Sequence, residues 1–152
     1  MNAKGRKAAA ILLAVTLTSA AGASLAASDS SFAGHYTTAS LSAQEQTAGN
    51  LLNSDRMRYN LSPLIIDPEL CRIARIKSED MRDNQYFAHT SPTYGDVRSM
   101  LKHFGYNYTA ASENIAHHAT IEKAQAAFLS SPGHRANVLH ARYTKAGVGV
   151  AI

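Results

Sequence analysis

The sequence predicts an α+β domain, and three observations carry that expectation. Apolar residues recur at helical spacing over residues 44–59 and again over 68–84. Two short runs later in the chain, "SENIAHHA" from Ser112 and "KAGVGVAI" from Lys145, have the length and composition of strands. Helices gathered at the front with strands following argue against a doubly wound parallel sheet. At 152 residues and 45% hydrophobic content the chain is long and apolar enough for one packed core.

The amino terminus stands apart from that core. "MNAKGRK" carries Lys4, Arg6 and Lys7, an uncharged apolar run follows from Ala8 to Ala21, and small residues sit at Ser24 and Ala26. A basic head, a short apolar middle and a small-x-small site read as a secretory signal peptide over residues 1–26. The apolar run is shorter than the ~20 residues a spanning helix needs, so no stable membrane span is expected after cleavage. Residues 27–43, small and polar, are expected to form a flexible leader, with the domain proper over 44–152. The expected localisation is secreted, extracellular or periplasmic.

Cleavage changes the charge. The whole chain has 15 Lys and Arg against 11 Asp and Glu; losing Lys4, Arg6 and Lys7 leaves twelve against eleven. Without a basic block, nucleic acid is not an expected partner. The single cysteine, Cys71, cannot form an internal disulfide, and its place between Leu70 and Ile73 suits a buried thiol. No cysteine at the cleavage site means no acceptor for a lipid anchor.

Within the domain each element has its own signal. Asp67-Pro68-Glu69 marks a helix start, with an N-cap acid and proline at the first helical position. Leu70, Ile73, Ala74, Lys77 and Met81 then form one stripe to about Asn84, with Lys77 expected to snorkel at its edge. "YFAHTSPTYGD" is punctuated as a loop, its start anchored by Tyr86 and Phe87. A short helix over residues 97–104 should stop at Gly105. Thr120 caps a helix that buries Ile121, Ala124 and Phe128, and "SPGH" reads as a turn. Gly147 and Gly149 in the last strand mark close packing or a bulge.

The usual catalytic signatures are missing. The sequence has no G-x-S-x-G elbow, H-E-x-x-H helix, Walker loop or dinucleotide glycine pattern. Ser112, Ser130 and Ser131 neighbour His and Glu, but none has the flanking glycines of a strained nucleophile turn. His89 and His134 each sit beside a Ser-Pro at a chain reversal, with Glu113 between them in sequence. These three could supply ligands to a zinc ion with a fourth position open, or form a hydrogen-bonded polar cluster. His103, His117, His118 and His140 read as surface or satisfied core histidines.

Taken in order, "LLNSDRMRYNLSPLIIDPELCRIARIKSEDM", "YFAHTSP", "ENIA", "SPGHRANVL" and "YTKAGVGVA" resemble the bacterial branch of the CAP superfamily. This superfamily comprises the cysteine-rich secretory proteins, antigen 5 and pathogenesis-related proteins. The resemblance runs from about Gln46 to Ile152 and implies an α-β-α sandwich around a central antiparallel sheet. It also implies a cleft lined by two histidines and two acids, which in some members binds a divalent metal. By motif, His89 and His134 take the histidine places and Glu113 the first acid's place. Ser131 stands where the second acid usually falls, Phe128 takes the aromatic place before it, and Ser112 replaces a glycine. Relatives usually continue past the position of Ile152 into another strand, so the last strand is expected to be missing and a sheet edge unpaired.

The resemblance implies a secreted binding module for an extracellular, envelope or lipid ligand, holding zinc or another divalent metal on His89, His134 and Glu113. The alternative is a secreted metal-dependent hydrolase using the same cleft, which the loss of the second acid at Ser131 disfavours. A degenerate paralogue is the third reading.

Overall fold

The computed structural model describes the backbone of residues 8–16 and the whole of residues 40–152. Nine elements follow in chain order: β1 (Ala8–Thr16), α1 (Ala43–Arg58), β2 (Ile65–Ile66), α2 (Pro68–Asp83), α3 (Val97–His103), β3 (Ala110–His118), α4 (Ile121–Ser130), α5 (Pro132–Val138) and β4 (Lys145–Ala151). The strands form one sheet in the order β2-β4-β1-β3. It is antiparallel except where β2 runs parallel to β4.

The sheet sits between two helical layers. On one face α2 and α3 enclose Leu70, Ile73, Ala74, Met81, Met100 and Leu101, with Ile115 of β3 among them. On the other, Leu52 of α1, Ile121, Ala124 and Phe128 of α4 and Val138 of α5 pack on Ala116, Ala146 and Val148. Each fully buried Leu or Ile of these layers contributes about 1.5–3 kcal/mol by leaving water. This is the expected α+β sandwich.

Local chemistry explains most boundaries. Ser42 and Glu45 form a reciprocal capping box at the start of α1. Asp67 accepts from the amides of Glu69 and Leu70, and Thr120 from that of Lys123. Gly105 follows the end of α3 at φ +69°, a left-handed conformation that glycine adopts without strain. Gly149 answers the bulge-or-packing question: a Cβ there would lie 2.1 Å from the Arg75 amide nitrogen, so its absence lets α2 lie directly on β4. Cys71 is buried and free, its Sγ accepting from the Val148 amide at 3.3 Å. Burial pushes its thiol up to about 11.

Four expectations change. "SPGH" opens α5 rather than making a turn, with Pro132 in the first turn, where its missing N–H costs nothing. Lys77 does not snorkel: it is 2% exposed, its ammonium donating to the Tyr86 hydroxyl and the His89 carbonyl. Tyr86 packs against the α2–α3 core as expected, but Phe87 is 50% exposed. The facing edges of β3 and β4 are not left open, because β1 pairs with both, Leu12 lying opposite Asn114 and Val148.

β1 falls within the expected signal peptide. A short continuous apolar run suits a strand buried between two others as well as an export segment, and periodicity cannot separate the two. The rest of that expectation, residues 1–7 and 17–26, lies outside the described residues, as does the expected leader up to residue 39.

Candidate functional site

β3 is the outer strand on one side of the sheet, and the candidate site is assembled around it. Successive side chains on a strand point to opposite faces. Ile115 joins the α2–α3 layer and Ala116 the α1–α4–α5 layer, so Glu113 shares the first face and Asn114 the second.

From the first face the loop after α2 brings in His89. Its ring Nδ1 lies 2.8 Å from Glu113 Oε1; the imidazole is 58% exposed and the carboxylate 5%. An exposed ring is thus tethered by a buried acid, and an Nδ1–H donated to Glu113 leaves Nε2 toward solvent. Burial raises the Glu113 carboxyl above its ordinary range, while the His89 contact and the Lys77 ammonium pull it back.

The loop itself hangs on Asp80. Ser91 Oγ donates to it at 2.6 Å, Thr93 Oγ1 at 2.7 Å and Asn84 Nδ2 at 2.8 Å, and the Tyr86 hydroxyl donates as well. Ser91 Oγ in turn accepts from the amides of Thr93 and Tyr94, and Ser91 bridges Gly95 through the backbone. Burial works to raise the Asp80 carboxyl, but these donors hold it below its ordinary value.

From the second face α5 brings in His134. Asn114 Nδ2 donates to the His134 carbonyl at 3.0 Å, and Asn137 Nδ2 donates to Asn114 Oδ1 at 2.8 Å. The far end of α5 is held by the buried Arg56, whose guanidinium donates to the carbonyls of Val138 at 2.8 Å and His140 at 3.1 Å. Phe128, which takes the family's aromatic place on α4, meets the His134 ring edge-on at 5.4 Å between centroids. Burial lowers the affinity of His134 for a proton, and the positive charge of His89 lowers it further. Glu113 touches His89 directly, and the two histidines sense each other electrostatically. Ser131 caps α5 through its backbone without a side-chain cap bond, and no described hydrogen bond joins its hydroxyl to the other three.

Among the described residues no group of three His, Cys, Asp or Glu side chains is placed to hold a metal ion. Glu113 faces the near nitrogen of His89, so a centre with three protein ligands does not fit the side chains as they stand. Apart from Glu113, the imidazole donors there are His134 and the outer nitrogen of His89. Four residues further along β3 from Glu113, about 13 Å by strand rise, a cavity of about 380 Å³ is lined by Tyr86, Phe87, His117 and Ile152 among others, and by none of His89, Glu113 and His134. His117 lies four residues beyond Glu113 on β3, and its ring is 6.0 Å from that of Phe87. Among the described residues no helix is long and apolar enough to cross a membrane.

The parts that Asn114, Lys77 and Asp80 play in the site escaped the sequence reading. Asn114 lay inside the "ENIA" motif, where only the acid had a visible role. Lys77 and Asp80 carried a faint signal, as charges on or beside an apolar helical stripe.

This fold, with an acid–imidazole pair beside a second histidine, is that of a CAP domain, and the chain belongs to that family. The model of the cysteine-rich secretory protein family (CAP) matches residues 50–152. Among similar proteins is the uncharacterized protein YkwD of Bacillus subtilis (strain 168), 46% identical over 111 residues covering 72% of this chain and 43% of YkwD. The uncharacterized membrane protein YlbC of the same organism is 36% identical over 106 residues, covering 66% of this chain and 30% of YlbC. The fold is also similar to a crystal structure of an extracellular protein containing an SCP domain from Bacillus anthracis str. Ames. That match has a TM-score of 0.67 and 38% identity, covering 70% of this chain and 36% of that one. The chain therefore spans less than half the length of each of these relatives.

Proposed function

We propose that this CAP-domain chain is exported and acts as a binding module, with His89 and His134 presenting the polar end of the cleft to a ligand. The observation that carries the reading is the 2.8 Å contact between an exposed imidazole and a buried carboxylate. A buried acid holding one ring nitrogen fixes the direction of the other, which is what a recognition site needs and a surface histidine lacks. The cavity further along β3 is lined largely by apolar side chains, so an envelope or lipid ligand long enough to reach it from the histidines would meet a polar and an apolar part. The basic head and apolar run at the amino terminus support export.

A divalent ion would be held by His89 through Nε2 and by His134, with Glu113 orienting His89 from behind. Imidazoles favour zinc over magnesium or calcium, and the ion would supply a positive centre for an anionic ligand group. With only two protein ligands, binding is expected to be weak. Calorimetric titration of zinc into the 152-residue chain and into a His89→Ala/His134→Ala variant tests this. Heat from the parent alone supports a shared site. Equal heats, with both proteins folded by circular dichroism, would remove the metal from the proposal and leave direct ligand binding.

A further inference from the structure

Lys77 sits in the middle of α2 with 2% of its surface exposed, among the most deeply buried side chains described. Burying an ammonium is costly, and a Leu or Met of similar length would pack there without that penalty. No described carboxylate lies within ion-pair distance to offset the cost. The ammonium instead donates to the His89 carbonyl at 3.0 Å and to the Tyr86 hydroxyl at 3.2 Å, and lies 5.0 Å from the centre of the Tyr86 ring.

These contacts join into one line. The Tyr86 hydroxyl in turn donates a hydrogen bond to Asp80, which also holds Ser91 and Thr93 on the far side of His89. Asp80 lies one turn after Lys77 on α2. The loop segment from Tyr86 to Thr93 is therefore tied to a single helix by two buried charges, one gripping the His89 backbone and the other gripping both flanks. The His89 ring then reaches Glu113, whose carboxylate also feels the Lys77 charge.

We propose that Lys77 is a positioning residue of the cleft, its ammonium fixing the His89 main chain so that the ring keeps Nδ1 on Glu113 and turns Nε2 outward. This rests on the reading of His89 as a binding group and goes beyond it by naming the residue that aims it. Lys77 touches no ligand; it acts through His89.

The test uses the 15N-labelled 152-residue chain at a pH above the histidine range, with Lys77→Met, Tyr86→Phe and, as a control, Leu52→Ala in the opposite layer. The first readout is the tautomer of His89, from the ring nitrogen shifts. The second is the dissociation constant for zinc alone. In the parent His89 should hold the single Nδ1–H form. Lys77→Met should convert it to a mixture of tautomers and weaken zinc by about 10- to 100-fold, the usual effect of losing an outer-shell partner. Leu52→Ala should lower stability and move neither readout. A parent-like His89 spectrum in folded Lys77→Met overturns the proposal. If Lys77→Met does not fold, Tyr86→Phe decides: it removes one anchor of the ammonium, so a smaller shift in the same direction supports the proposal and no shift overturns it. If the parent binds no zinc while Lys77→Met still scrambles the tautomer, the metal reading fails and the positioning role stands.

Discussion

Glu113 and Asn114 are adjacent on β3, and each restrains one of the two histidine segments from its own face of the sheet: the acid takes the His89 ring, the amide the His134 carbonyl. Strand alternation alone puts two neighbouring residues in reach of two segments 45 residues apart in sequence.

The amide's share can be measured. Asn114→Ala removes, from a buried side chain, the donor to His134 and the acceptor for Asn137. A loss of roughly 1–3 kcal/mol in urea unfolding is expected. Amide exchange over α5 should accelerate more than exchange over α2.

Glu113 should reveal itself in the pH dependence of stability. Its folded carboxyl is raised above the ordinary value near 4.5 by burial, with His89 and Lys77 opposing. Between the unfolded and folded values the native state binds more protons, so this group's contribution falls as pH rises. Glu113→Gln should therefore gain stability relative to the parent as pH rises through the folded value, and the gap should close in acid. Urea midpoints from pH 4 to 7.5 check the sign.

Gly149 fixes the spacing of a helix over the sheet. Its missing Cβ would collide with the Arg75 amide nitrogen and the Ala74 carbonyl carbon, both backbone atoms that cannot swing aside. Gly149→Ala should cost on the order of 3 kcal/mol, at the upper end of overpacking effects. Thermal unfolding of the two proteins, side by side, gives the answer.

β1 and cleavage after Ala26 are mutually exclusive in one molecule. In the uncut chain Leu12 lies in a strand paired on both sides, where proline would remove a ladder hydrogen bond. Leu12→Pro should destabilise the uncut chain by roughly 1–3 kcal/mol, the cost of leaving a ladder acceptor without its donor. Intact mass of the exported protein tells which form is released. A stable uncut Leu12→Pro protein would mean the sheet does not depend on β1.

The helices were legible because their caps are chemical and local: Asp67-Pro68, Thr120 and Gly105 each act within a few residues. The glycine of β4 was legible for the same reason, since a strand tolerates that residue only for a steric purpose. α5 was not, because seven residues opened by proline are too few to show a period. Among the site residues, His89, Glu113 and His134 stood out through the family motifs rather than through spacing, and Ser131 has no described link to them. Lys77 was misplaced at the edge of its stripe because its partners, Tyr86 and the His89 carbonyl, lie in a loop that no helical periodicity describes. Asn114 was missed because its partner is a backbone carbonyl twenty residues away.

The central claim is that His89 and His134 share one cleft. The most direct test is the titration of the His134 ring, followed by NMR in the parent and in His89→Ala. Burial and the charge of His89 both hold His134 below its ordinary value of 6.5. Removing His89 takes away one of those two causes, so the His134 midpoint is expected to rise in the variant. An unchanged midpoint in a folded His89→Ala protein would place the two histidines beyond each other's influence and contradict the shared site.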